Sequence, residues 1–297
     1  MNRDFQEELA ARTRQIEAVL AKYLPTAKGY QKTVIEAMNY SIQAGGKRLR
    51  PLLMWETYRM FGGRSEVIEP FMAAIEMIHT YSLVHDDLPA MDNDQYRRGK
   101  KTTHVQFGEA MGILAGDGLL NYAFETAAKA FEIEPGNSQI GKALSVLAQK
   151  AGIQGMLGGQ CVDVEAEGSQ VTEEMLTFIY RLKTGALLEA SMLIGAILAG
   201  ATGSEQNQVE QAAGELGLAF QIQDDILDVT STTEELGKPV GSDEKNHKVT
   251  WVTLFGIDEA KQQTGRLSRQ SVERMNALVV KNEFLTSLML ELIHRKK

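Results

Sequence analysis

The sequence has 297 residues, 43% hydrophobic and 24% charged, which are the proportions of a folded globular chain and exclude a disordered or fibrous one. With 31 Lys and Arg against 39 Asp and Glu the net charge is −8, which argues against a nucleic-acid binder held by phosphate contacts. The length allows one large domain or two ordinary ones, and the single cysteine, Cys161, makes no internal disulfide and reads as a small buried thiol in a reducing compartment.

In chain order, Met1–Glu8 is charged and has no apolar core of a signal peptide. Six prolines (Pro25, Pro51, Pro70, Pro89, Pro135 and Pro239) mark element starts and breaks. Val34, Met38 and Ile42 recur at helical spacing, as do Phe71, Ile75 and Ile78. Short connections are expected at Gly62–Gly63, Pro135–Ser138, Gly200–Ser204 and Gly237–Ser242. The apolar run Ala186–Ala201, interrupted by Glu189, Ser191, Gly195 and Gly200, is shorter than the roughly 20 residues of a membrane span and reads as a buried helix. Thr230–Lys248 is polar and long enough for a lid. No stretch alternates with period two, no Asn-Gly or Asp-Gly hairpin signal occurs and no repeat suggests a solenoid, so the reading is all-α.

Two acidic clusters break the apolar pattern. Asp86, Asp87, Asp92 and Asp94 follow an apolar helix from about Pro70 to Asp87. His79, Ser82 and Asp86 share one face of that helix, and such a polar stripe must meet something wet or ionic. Gln221, Asp224, Asp225 and Asp228 stand at i, i+3, i+4 and i+7 in Gly217–Val229, opposite Leu218, Ile222, Ile226 and Val229. A short acidic run is ordinarily a solvated loop, and an acidic stripe the wet side of an amphipathic helix. Here neither cluster contains a Lys or Arg, and a divalent cation would relieve the repulsion. Oxygen ligands select a hard ion, and few carboxylates completed by water and phosphate is the Mg²⁺ arrangement.

The cations to match are present. Gly45-Gly46-Lys47-Arg48-Leu49-Arg50-Pro51 sits at a helix break, and Arg97-Arg98-Gly99-Lys100-Lys101 follows the first acidic cluster. Lys183-Thr184-Gly185 opens the apolar run, and Lys238 and Lys248 lie in the polar segment. Each alone reads as surface charge. Together with two metal clusters they suit diphosphates, which Arg binds bidentately and Lys as a point charge. No phosphate-binding loop of the nucleotide folds occurs.

DDxxxxD (Asp86, Asp87, Asp92) and DDxxD (Asp224, Asp225, Asp228) resemble the two aspartate-rich motifs of the trans-isoprenyl diphosphate synthases. GGKRLRP, the His79 helix, the following RRG, GGQxxD at Gly158–Asp163, KTG, FQxQDD and LGKP occur in that family's order along nearly the whole chain. The four-residue spacer of the first motif resembles the bacterial farnesyl branch. The resemblance implies an all-α single domain over 1–297, a helical bundle around a central cavity, acting in the cytoplasm as a homodimer without membrane segment or nucleic acid. It implies that Lys47, Arg50, His79 and Arg98 hold isopentenyl diphosphate. Asp86, Asp92 and Asp224 would ligate Mg²⁺, with Asp87, Asp225, Asp228 and Asp163 as further ligands or supports. Arg97, Lys183 and Lys238 would contact the allylic diphosphate, dimethylallyl or geranyl. Lys248 matches a second lid lysine, although His247-Lys248-Val249-Thr250-Trp251-Val252 replaces the usual Gly-Lys-x-Thr-Tyr-Pro. Thr184 and Gln221 would turn oxygen dipoles toward a cation. Tyr81 and Ser82, just ahead of the first motif, would form the floor that limits product length; the larger Tyr81 favours a fifteen-carbon product.

The implied reaction is ionisation of the allylic diphosphate, attack by the double bond of isopentenyl diphosphate and loss of a proton, with water excluded. Three rivals stay open at this stage: a terpene cyclase, disfavoured by the DDILD form of the second motif; a geranylgeranyl diphosphate synthase; and a catalytically silent partner subunit, which would be expected to lack motif residues present here.

Overall fold

Proline and capping chemistry set where the helices start. The computed structural model describes residues 3–231 and 248–294. Lys238 and most of the expected lid lie outside the described residues. The described chain is almost entirely helical: α1 Arg3–Tyr23, α2 Lys32–Ile42, α3 Leu49–Met60, α4 Glu69–Asp86, α5 Thr103–Phe107, α6 Glu109–Ala128, α7 Ala130–Ile133, α8 Gln139–Ala151, α9 Met156–Glu165, α10 Glu173–Ile179, α11 Ala186–Leu198, α12 Gly203–Thr230, α13 Trp251–Phe255, α14 Ile257–Ala277 and α15 Glu283–His294. Pro70 sits in the first turn of α4, where its missing N–H costs no helical bond. Thr202 and Glu205 form a capping box at the start of α12. Among the described residues no helix is long and apolar enough to cross a membrane.

The chain packs as two compact units, residues 1–55 with 65–144 and residues 56–64 with 145–297. In the first, α4 lies against α6 and α1. Phe71, Ile75 and Ile78 are fully buried along it, each contributing about 1.5–3 kcal/mol of apolar burial. Helix α6 passes close to the end of α4 because Gly116 has no side chain: a Cβ there would lie 2.0 Å from Nε2 of His85.

In the second unit α12 packs against α11 and α14. Every residue of α11 but Glu189 is buried. Glu189 receives an ion pair from Lys150 of α8, which also holds Glu210 of α12 at 2.8 Å. The polar interruption in the apolar run is therefore a strut between helices. Between α10 and α11 the chain makes a π-helical turn, Tyr180–Gly185. At Gly217 the backbone of α12 comes so close to this turn that a Cβ would lie 2.7 Å from Cα of Gly185.

Three sequence expectations are corrected. Tyr96–Arg97 and Lys100–Lys101 form a small antiparallel hairpin, β1 and β2, within the all-α fold. Its two-residue turn places Arg98 at φ 53° and Gly99 at φ 74°, the turn class usually marked by Asn-Gly. Cys161 is exposed on α9 rather than buried. On α12 the expected apolar face is incomplete, with Val229 61% exposed, whereas Asp225 and Asp228 are buried.

Candidate active site

In the first unit the Gly-Gly-Lys-Arg stretch is a cradle built on unusual backbone. Gly45, Gly46 and Arg48 have φ of 91°, 147° and 49°. The turn drives Arg48 inward, where its Nε meets Oε1 of Glu17 at 2.7 Å, Nη1 meets Oε1 of the buried Glu76 at 2.8 Å and Nη2 meets the Ile42 carbonyl at 2.7 Å. Lys47, one residue before, is exposed. Arg98 reaches back from the hairpin and donates from Nη1 to the Gly45 carbonyl. It lies over Gly46, where a Cβ would be 2.7 Å from the same nitrogen. Arg50 and His79 complete the group. Burial brings the Arg50 guanidinium down to about 10, Glu76 opposing and Arg98 adding to the fall, so it stays charged at neutral pH. Its Nε is buried with no hydrogen-bond partner. Burial and then the nearby Arg50, Arg98, Arg97 and Arg48 hold His79 well below the usual imidazole range, so its ring is neutral.

The end of α4 carries the first acidic motif. The loop after it closes by a 2.9 Å bond from the Asp92 N–H to the Asp86 carbonyl, which returns the chain to the helix end despite the long spacer. Asp86 is half-buried and Asp92 exposed. Asp87 is buried and taken up by Arg97, whose Nε and Nη2 meet Oδ1 at 2.8 and 2.6 Å. Burial raises the Asp87 carboxyl and Arg97 opposes that rise. The first cluster thus has a counter-charge the sequence reading did not assign to it. Tyr81 is buried with its ring edge-on to His85 at 5.8 Å. Burial, and then Asp86, push its phenol up to about 12. Ser82 turns its hydroxyl back to the His79 carbonyl at 2.9 Å.

In the second unit α9, the π-helical turn and α12 meet around a cavity of about 110 Å³ lined by Asp163, Tyr180, Lys183, Thr184, Gln221, Asp225, Lys248 and Thr250. Lys183 Nζ lies 2.5 Å from Oδ2 of Asp163, and Lys248 Nζ is 4.0 Å from the same oxygen. One carboxylate thus faces two ammonium groups, and with Asp225 the lining carries two charges of each sign. Thr184 donates to Oε1 of Gln221 at 2.7 Å. Having given up its only proton, that hydroxyl presents only lone pairs to a further neighbour. On α12, Asp224 is half-buried and Asp228 buried. Asp225 accepts from the Tyr180 hydroxyl at 2.6 Å and the Trp251 N–H at 2.9 Å.

Sequence reasoning had not singled out Glu76, Tyr180 or Trp251. Glu76, a carboxylate one turn before His79 in an apolar helix, was the most legible of them. Tyr180 depends on the π-helical turn, which has no simple sequence signature.

The donor chemistry suits a hard divalent cation. Asp86, Asp92 and Asp224 offer carboxylate oxygens that are half-buried or exposed, and a cation taking one or two carboxylates would complete its shell with water and phosphate. The polyprenyl synthetase family model matches residues 31–286. The chain is 47% identical over 247 residues to a farnesyl diphosphate synthase of Geobacillus stearothermophilus, covering 83% of each. It is 45% identical over 261 residues to a geranylgeranyl diphosphate synthase of Cyanophora paradoxa, covering 88% of this chain and 86% of the relative. The crystal structure of an FPP/GFPP synthase from Zymomonas mobilis superposes with a TM-score of 0.87 at 32% identity, covering 98% of this chain and 99% of that one.

Proposed function

The chain belongs to the polyprenyl synthetase family, and from that premise we propose that it condenses isopentenyl diphosphate with dimethylallyl and then geranyl diphosphate, ending at (2E,6E)-farnesyl diphosphate. The observation that carries the reading is the crowd of positive charge at the start of α3. Arg98 stands close enough to lower the Arg50 guanidinium, both lower the neutral His79 beside them, and a multiply charged anion offsets such crowding. With Lys47 these residues hold the diphosphate of isopentenyl diphosphate. Neutral His79 adds a hydrogen bond rather than a charge.

Asp86, Asp92 and Asp224 would hold Mg²⁺, and the charge it would supply suits a departing diphosphate. Asp87 and Asp228, both buried, support that set, and Arg97 keeps Asp87 in place. Lys183 and Lys248 steady the allylic diphosphate; Lys238 keeps the same role as an expectation. As the C–O bond breaks, Thr184 and Gln221 turn lone pairs toward the allylic cation. The double bond of isopentenyl diphosphate attacks that cation, and the released diphosphate takes the proton lost from C2. No side-chain nucleophile takes part.

Tyr81, buried against His85, favours a stop at fifteen carbons. The 47% identity to a farnesyl diphosphate synthase favours the same stop. The proposal includes one domain over 1–297 and a homodimer, for which Ile113 and Leu114, exposed on α6, offer an apolar face. It also includes a cytoplasmic home, suited to the exposed thiol of Cys161.

Chain-length analysis of the product from dimethylallyl and isopentenyl diphosphates, with Mg²⁺ and with excess chelator, tests this. A mainly twenty-carbon product overturns the farnesyl reading, and full activity in chelator overturns the metal reading.

A further inference from the structure

We propose that Asp225 is a tie rather than a Mg²⁺ ligand: with the Tyr180 hydroxyl and the Trp251 N–H it forms a three-way clasp that fixes the chain just after Lys248 against the π-helical turn carrying Lys183 and Thr184. The inference rests on the diphosphate-site reading above and reassigns one motif residue within it.

The geometry is a closed triangle. The Tyr180 hydroxyl lies 2.6 Å from Oδ2 of Asp225, the Trp251 N–H is 2.9 Å from the same oxygen, and Trp251 N is 3.3 Å from the hydroxyl. A carboxylate oxygen has two in-plane lone pairs, and both directions at Oδ2 are filled by protein donors. All three residues are buried, at 6%, 2% and 5% exposure for Tyr180, Asp225 and Trp251, so the bonds form where water does not compete for them. The Trp251 N–H is the first of α13 and has no acceptor within that helix. The Tyr180 hydroxyl is the only polar group of its side chain. The clasp therefore gives both donors the same carboxylate oxygen as acceptor.

The three corners explain what it holds. Tyr180 begins the π-helical turn, and Lys183 and Thr184 follow within the same turn. Asp225 lies on α12 next to Asp224 and one turn after Gln221, which accepts from Thr184. Trp251 is three residues after Lys248, whose Nζ lies beside Asp163. Tyr180 and Trp251 are thus positioning residues: they set where the two lysines and the Thr184–Gln221 pair stand around the cavity, without touching the diphosphate.

Calorimetric binding of inorganic pyrophosphate to the full chain, titrated at a series of Mg²⁺ concentrations, separates a tie from a ligand. Asp225→Asn keeps an oxygen that accepts both bonds and removes the charge, so its affinity and half-saturating Mg²⁺ stay within about threefold. Asp224→Asn removes a proposed ligand charge and raises the half-saturating Mg²⁺ at least about tenfold. Tyr180→Phe removes one donor and weakens pyrophosphate roughly three- to tenfold at saturating Mg²⁺, with the half-saturating Mg²⁺ unchanged. In metal-free protein with Trp55→Phe, the Trp251 emission shifts to the red in Tyr180→Phe and not in Asp225→Asn. The inference is overturned if Asp225→Asn raises the Mg²⁺ requirement as far as Asp224→Asn does, or if Tyr180→Phe leaves both pyrophosphate affinity and Trp251 emission unchanged. If Asp224→Asn and Asp225→Asn both bind Mg²⁺ and pyrophosphate like the parent, the diphosphate-site reading itself fails.

Discussion

Gly45 and Gly46 make a paired test of the cationic cradle. Both adopt a φ that disfavours side chains, 91° and 147°, so alanine at either position strains the backbone by about 1–3 kcal/mol. They differ in what a methyl group would meet. At Gly45 nothing lies within 4 Å, whereas at Gly46 a Cβ would come 2.7 Å from Nη1, 2.8 Å from Cζ and 3.0 Å from Nη2 of Arg98. The guanidinium is the far end of a flexible side chain, so it moves aside at little cost to stability. That movement takes it off the Gly45 carbonyl and away from its place over the cradle. A charge-assisted contact contributes about 1.5–3 kcal/mol, so its loss raises the KM for isopentenyl diphosphate roughly ten- to a hundredfold. The expected pattern is a similar loss of thermal stability in Gly45→Ala and Gly46→Ala, with the KM increase confined to Gly46→Ala. The KM for geranyl diphosphate stays near the parent value in both. Steady-state kinetics with one substrate varied and the other saturating measures it. Equal KM increases in the two variants would show that backbone strain, not displacement of Arg98, is responsible.

Three further outcomes are expected. The unfolded chain takes up a proton at His79 near pH 6.5 and the folded protein does so only well below that. This contribution to stability is therefore whole above pH 6.5 and falls by up to about 1.4 kcal/mol per pH unit as the pH drops toward the folded value. Denaturant melts from pH 8 to 5 should show His79→Asn with a flatter dependence, and an identical slope in the two proteins refutes the assignment. Arg48→Met leaves Glu76 buried without its partner and should cost about 3–5 kcal/mol in the same melts, whereas Lys47→Met should stay within about 0.5 kcal/mol and raise the KM for isopentenyl diphosphate. Equal stabilities for these two variants would contradict the inward placement of Arg48. Tyr81→Ala should lengthen the main product by at least one isoprene unit; an active variant that still stops at fifteen carbons rules out Tyr81 as the floor.

The helices were legible where one physical signal dominated. Pro70, the Phe71–Ile75–Ile78 spacing and the acidic stop at Asp86 fix α4 to within a residue, and the apolar run from Ala186 became the buried helix α11. The hairpin at Tyr96–Lys101 was missed because Arg98-Gly99 rather than Asn-Gly supplies its turn, and the left-handed Arg98 is held by a bond to the Gly45 carbonyl, a contact 53 residues away in sequence. The π-helical turn was missed because Tyr180–Gly185 carries no local signal for it, and its close approach to α12 at Gly217 is a tertiary contact that periodicity does not encode. The inward course of Val229 failed for a similar reason: spacing gives the face of a helix, and only tertiary packing says how far along its length that face stays covered.

The candidate site is richest in doubled charges, and the doubling has a physical explanation. Lys47-Arg48, Asp86-Asp87, Arg97-Arg98 and Asp224-Asp225 are each adjacent like charges. In each pair one member is consumed by the protein: Arg48 by Glu17 and Glu76, Asp87 by Arg97, Arg97 by Asp87, and Asp225 by Tyr180 and Trp251. The other member is half-buried or exposed. Neighbouring residues in a helix or tight turn point about 100° or more apart, so one side chain of a doublet can face the packing while the next faces a ligand. A single charge at such a place would swing on its own long or exposed side chain. Fixing its neighbour by hydrogen bonds fixes the backbone on which it stands, and so helps to aim the outer charge. Six motif aspartates counted as equal ligands overstate the repulsion in the site, since Asp87 and Asp225 are already answered by protein donors. On the Mg²⁺ reading proposed above, a divalent cation would have correspondingly fewer carboxylates to satisfy and more of its charge left for diphosphate oxygens, which is the balance a reaction that sheds diphosphate requires.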